Sequence, residues 1–202
     1  MSIPLTLSIL AGLITVTYIV PHSTEFTYVQ SSVDKQYYKV RNLPTRFEAA
    51  NHLARIRQKI QKFIVYLKEK YPTEKWVSRL ENANLNAIQE SSSYSRHSAF
   101  SVNKGESLHF CIRNKKTDDS SLTSDMNTLV YVALHELAHV MTESIGHTEE
   151  FWKNHAILVR EAIDAGIYSY VDYKEIPSNY CGEVINHQVV KANEKKYNKT
   201  KS

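Results

Sequence analysis

The chain is poor in cysteine: two in 202 residues, Cys111 and Cys181. Neither sits in a C-x-x-C arrangement, which argues against a zinc site built on cysteine. A chain of this length can bury a core without a covalent staple. The expectation is therefore two reduced, mostly buried thiols, although an oxidising compartment would allow them to pair. Charge of one sign is also scarce. Lys and Arg number 25 against 21 Asp and Glu, a formal net charge of +4, and part of that excess lies in the tail KANEKKYNKTKS. No basic groove follows from it, so nucleic acid is not an expected partner. There is no internal repeat. A hydrophobic content of 42% and a charged content of 23% are those of an ordinary globular chain, and the length suits one domain rather than two.

The stretch IPLTLSILAGLITVTYIV, residues 3–20, lacks any charged residue. As a helix it would reach about 27 Å, close to the hydrocarbon thickness of a bilayer. No Lys or Arg precedes it and YIVPHST is a poor cleavage site, so a cleaved signal peptide fits less well. The expectation is an uncleaved, single-pass N-terminal membrane anchor over residues 1–24, with a cleaved signal or a buried helix as competing readings. Lys35, Lys39 and Arg41 follow the span, and the positive-inside rule weakly places the downstream domain in the cytosol.

Periodicity organises the rest. EFTYVQ (25–30) reads as a strand or extended linker, and 31–43 as polar and irregular. From Thr45 to Tyr71 apolar residues recur at helical spacing: Phe47, Ala50, Leu53, Ile56, Ile60, Phe63, Ile64 and Leu67. Arg55, Arg57, Lys59 and Lys62 form a solvated face, and Pro72 stops the helix. A short helix is expected over Glu74–Asn82. Ser98–Val102 and Ser107–Ile112 flank NKGE and read as a hairpin. Residues 124–143 form a helix apolar nearly all round, which places it in the domain's centre. The tail 191–202 is basic and expected to be disordered, leaving 25–190 as the folded domain.

Into that central helix go His135, Glu136 and His139. Residues four apart share one helix face, so the two imidazoles can converge on one ion. Zinc suits neutral imidazole. Glu136 stands beside the histidine stripe, where it can reach a water in the ion's open position and take its proton. Three polar side chains in so apolar a helix would be costly without a partner. The bland alternative is a pair of core histidines satisfied by neighbours.

A catalytic zinc commonly has three protein ligands. His147 is the favoured third. Gly146 can take a left-handed bend, and Thr148 can cap a following helix whose first turn holds Glu149 and Glu150. Glu161, with Asp164 behind it, is the rival, and His155 is a further option. Glu143 is expected to bond locally or face solvent.

At these residues HELAHVMTESIGHTEEFW resembles the zincin metallopeptidases, and more narrowly the SprT/WLM-type group. SVNKGESLHFCIRN and SYVDYKEIPSNYCG are also similar to uncharacterised metallopeptidase-like proteins of large DNA viruses. The motif-level match covers residues 98–183. The resemblance implies an α+β, zincin-like domain, with a small mixed sheet packed on helices that include the H-E-x-x-H helix. It implies bound Zn2+ on His135, His139 and His147, with Glu136 as general base and a protein or peptide as substrate. The connector before the third histidine is longer than the group's usual pattern, and no methionine-turn of the metzincin kind is present. Ser107–Ile112 would be the edge strand that receives an extended peptide. Tyr168, Tyr170, Tyr173 and His187 are conceivable donors to a developing oxyanion, though each can equally be packing. The reading is a membrane-anchored zinc metallopeptidase. Its alternatives are a zinc-stiffened structural protein of a membrane or virion, and a protease of DNA–protein crosslinks, which the mild charge does not favour.

Overall fold

The computed structural model describes residues 25–115, 121–122 and 125–191. The chain opens with an antiparallel ribbon, β1 (Phe26–Gln30) and β2 (Tyr37–Arg41), in which Tyr28 faces Lys39. Helix α1 (Arg46–Lys70) follows. Ala50, Leu53, Ile56, Ile60, Phe63, Ile64 and Leu67 are buried on its inner stripe, but Phe47 is exposed; Arg55 and Lys62 stay in solvent, while Arg57 and Lys59 are half-buried. The Tyr71 amide donates to the Leu67 carbonyl at the C-terminus, and Pro72 cannot continue the ladder. Helix α2 (Lys75–Glu81) leads through a 3-10 turn into β3 (Ile88–Glu90).

Strands β4 (Ala99–Val102) and β5 (Ser107–Phe110) form the expected hairpin. They join β3 in a mixed sheet of order β3-β5-β4, with β3–β5 parallel and β4–β5 antiparallel. The hairpin tip packs closely. A Cβ on Gly105 would lie 3.1 Å from Ala83 Cβ and 3.3 Å from Val140 Cγ2, and its φ of +104° is one that L side chains rarely adopt.

Helix α3 (Met126–Met141) runs through the centre. Asp125 caps it, accepting from the Asn127 and Thr128 amides. Its residues Leu129 through Leu134, together with Leu137, Ala138, Val140 and Met141, are buried on every side. It packs against α1, α2, β4 and α4 (Glu149–Asp164). A last hairpin, β6 (Ser178–Tyr180) and β7 (Glu183–Ile185), stands apart from the main sheet.

Three expectations need correction. The N-terminal transmembrane helix, and the single-pass membrane localisation drawn from it, are not supported: no helix among the described residues is long and apolar enough to cross a membrane. Helix α1 carries a charged face, and α3, the apolar one, has 16 residues where a span needs about 20. Residues 3–20 themselves lie outside the described residues, as does most of the tail 191–202. Second, the cysteines are not reduced thiols. Cys111 and Cys181 form a disulfide that ties the end of β5 to the turn of the β6–β7 hairpin. Third, residues 31–43 are not irregular, because β2 lies within them.

A buried carboxylate locks the sheet to the ribbon. Glu90 of β3 accepts from the Arg41 backbone amide at 2.7 Å and Arg41 Nε at 2.9 Å. It also accepts from Arg113 Nε at 2.9 Å and from Arg113 NH2. Arg113 is fully buried, and a buried charge is tolerated only when paired in this way.

Candidate metal centre

His135 and His139 project from one face of α3 with ring centroids 5.1 Å apart. The helix itself ends at Met141, where Thr142 Oγ1 donates back to the Ala138 carbonyl. It therefore stops earlier than the apolar pattern suggested. Gly146, at φ +85°, is the bend. A Cβ there would meet nothing within 4 Å, so glycine serves this position through its backbone freedom alone. Thr148 caps α4 by accepting from the Phe151 amide. Glu150, in the first turn, accepts from the amides of Glu143 and Ser144 and from the Ser144 hydroxyl. These bonds hold its carboxyl down at about 2.

The connector 142–148 thereby returns His147 to α3. The ligand-capable nitrogens of His135, His139 and His147 all lie within 4.8 Å of one another. His135 Nε2 and His147 Nε2 are 3.1 Å apart. A tetrahedral ion with Zn–N bonds of about 2.0–2.1 Å would set ligand nitrogens roughly 3.3 Å apart. Burial, followed by the neighbouring imidazoles, pulls His135 down to about 3. Burial, with His147 and Lys104 beyond it, pulls His139 down to about 4. Both rings are then neutral at physiological pH, the state a metal requires. The residues fit a divalent, nitrogen-loving cation.

Glu136 lies beside them, 4% exposed. Burial pushes its carboxyl up to about 8, and the backbone amide of Ser101 opposes that rise. Its Oε2 has no hydrogen-bond partner. A cleft of about 730 Å³ opens over this group, and Ala99, Phe100 and Ser101 of β4 and Val184, Ile185 and His187 are among the residues that line it.

The substrate-strand expectation fails here. Ser107–Ile112 contains β5, which is the central strand, and β4 is the edge. The Cys111 amide bonds the Ser98 carbonyl, so alternation along the antiparallel pair turns the backbone groups of Ala99 and Ser101 outward, toward the cleft. Sequence alone gives the hairpin but not which strand a third one covers.

Of the rival ligands, Glu161 is engaged elsewhere and His155 does not join the converging group. Glu161 accepts from Tyr66 at 3.2 Å, Lys70 at 2.6 Å and Tyr71 at 2.7 Å, which fastens α4 to the end of α1. Glu143 pairs with Arg79 at 2.6 Å. His155 is fully buried, 5.2 Å from His135 between ring centroids, and neither of its nitrogens has a partner. It stands outside the converging group. Tyr168 and Tyr173 are buried around Tyr131, with centroids 5.7 and 4.8 Å away. Tyr170 is half-buried and reaches Asp172. Only His187, of the four conceivable donors, lines the cleft; it is exposed, and partial desolvation followed by His147 lowers its pKa.

No family model matches the chain. The solved structure of Wss1 from Saccharomyces cerevisiae is similar over 61% of this chain and 85% of that one, at 19% identity and a TM-score of 0.46. A likeness that distant says nothing of chemistry. Uncharacterized protein 136R of Invertebrate iridescent virus 6 is 34% identical over 52% of this chain and 56% of its own length. Uncharacterized protein 042R of Invertebrate iridescent virus 3 is 37% identical over 48% and 54%. Uncharacterized protein R325 of Acanthamoeba polyphaga mimivirus is 35% identical over 176 residues, 83% of this chain and 86% of that protein. With that identity over nearly the whole of both chains, the protein belongs to the family of mimivirus R325.

Proposed function

We propose that the protein is a zinc-dependent metallopeptidase acting on extended segments of proteins or peptides. The observation that carries this reading is the convergence of three imidazoles from two segments beside a buried glutamate whose second oxygen is unpartnered. A purely structural zinc site is closed by four ligands and has no use for such a carboxylate.

His135, His139 and His147 would hold the ion. Zinc bound there supplies Lewis acidity toward a carbonyl and lowers the pKa of water in its open position. Glu136 is the general base in this reading: a cation held by the neighbouring imidazoles would favour its carboxylate over the neutral form that burial favours, and its free Oε2 would then take a proton from the attacking water and return it to the leaving amine. Ser101 steadies the other side of that carboxylate. Ala99, through its amide and carbonyl, and Ser101, through its carbonyl, offer outward backbone groups to a substrate strand laid against β4. His187 also lines the cleft, where a ring N–H could meet charge developing on the carbonyl oxygen.

The test is cleavage of a broad peptide library by the full chain with zinc. Wild type should cut, and Glu136→Gln should keep one zinc while losing about 100-fold or more of its turnover, as expected for a general base. Retained turnover in that variant contradicts the assignment. Zinc bound without any cleavage by wild type would favour a structural role.

A further inference from the structure

Lys104 lies at the tip of the β4–β5 hairpin, on no element of the metal centre. Its ammonium nevertheless donates to three carbonyls at the end of α3 and just beyond: His139 at 3.1 Å, Thr142 at 2.6 Å and Ser144 at 2.8 Å. A helix C-terminus leaves its last carbonyls without intrahelical donors. An ammonium brings three donors and no acceptor, and its charge complements the dipole there. From the other side, Glu150 takes the amides of Glu143 and Ser144. The start of the connector is thus gripped by two opposite charges, neither of them on it: carbonyls by Lys104, amides by Glu150.

The backbone adds a second observation. The Gly105 amide bonds the Val102 carbonyl at 3.0 Å, and the two residues inside that turn, Asn103 and Lys104, have φ of +43° and +56°. A turn with both central residues left-handed favours Asn followed by Gly. A lysine in the second place is strained. Glycine would relieve the strain but could not reach α3.

On the zinc reading above, we propose that Lys104 is the positioning residue for the third ligand: by gripping the α3 terminus and the connector it sets where His147 sits, and through His147 it sets the affinity for zinc. It also couples β4, the strand bordering the cleft, to the helix that carries His135 and His139. Lys104 is exposed, so replacing it empties no core.

The experiment is zinc affinity of the full chain, by competition with a chelator, for wild type, Lys104→Met, His147→Ala and the double variant. Metal-free thermal unfolding is measured alongside. Lys104→Met should weaken zinc by about 10–100-fold, as loss of a ligand-orienting partner does, with little change in the metal-free midpoint. In the His147→Ala background it should change affinity no further, because the two act through one ligand. Lys104→Gly should weaken zinc as much without lowering the metal-free midpoint. Wild-type affinity in Lys104→Met or Lys104→Gly overturns the proposal, as does an equal loss with and without His147. A wild-type chain that binds no zinc overturns the zinc reading itself, and is told apart by that.

Discussion

His135, Glu136 and His139 were legible as a group because helix geometry alone fixes which residues share a face. His147 was less so. Its place depends on a bend at Gly146, a cap at Thr148 and charges from outside the connector, of which only the first two leave a local mark in the sequence. Lys104 and Glu150 reach the connector's carbonyls and amides by contacts that no spacing announces. Glu161 illustrates the converse. Its position on α4 suited a ligand, and tertiary contact with Tyr66, Lys70 and Tyr71 gave it another duty. The two residues should therefore separate cleanly in mutants. His147→Ala should weaken zinc by more than about 100-fold, beyond what losing a residue that only orients a ligand costs. Glu161→Ala should leave zinc affinity unchanged and cost roughly 1–3 kcal/mol of stability in urea unfolding, the scale for losing hydrogen bonds to a charged group. Equal zinc affinities in the two variants would mean that the third ligand is misassigned.

Long periodic helices announced themselves, and α1, α3 and α4 lie close to where their apolar spacing and caps put them. Short strands did not. β3 is three residues long and pairs in parallel with β5, so neither its length nor a nearby turn marks it, and without β3 the sheet order cannot be read. That is why the substrate strand was assigned to β5 rather than β4. The Glu90 lock was equally silent, since it joins residues 49 and 23 positions away. The β6–β7 hairpin was missed for the same reason, yet it walls the cleft with Val184 and Ile185. Its attachments include the disulfide from Cys181 to Cys111, Ser98 donating to Glu183 at 2.9 Å, a Thr128–Ser178 hydroxyl contact at 3.4 Å, and Tyr180 and Ile185 buried in the core. Closing a loop of this size by a disulfide is worth about 4 kcal/mol in the chain-entropy account. Cys181→Ser should lower the thermal midpoint and raise KM for peptides, while zinc stoichiometry stays at that of wild type. A variant with unchanged KM would show that the hairpin holds its wall without the bond.

At the scale of the whole molecule, one core places the chemistry. The central helix is buried among α1, α2, α4 and the β4 edge, and it reaches the cleft through Tyr131, Val132, Glu136 and the histidine stripe. The single domain was legible from the chain's length, and its α+β class from the resemblance of the histidine stretch to the zincins. The anchor reading came from residues 3–20 alone, by hydropathy rather than packing, and no described helix supports a span. The relatives in mimivirus and the iridescent viruses place the chain among proteins of large DNA viruses without assigning a reaction. The account therefore stands on the ion. Its most direct test is the zinc content of the full chain after loading and extensive dialysis, read by atomic emission. It predicts one zinc per chain. A chain that emerges with none would contradict it.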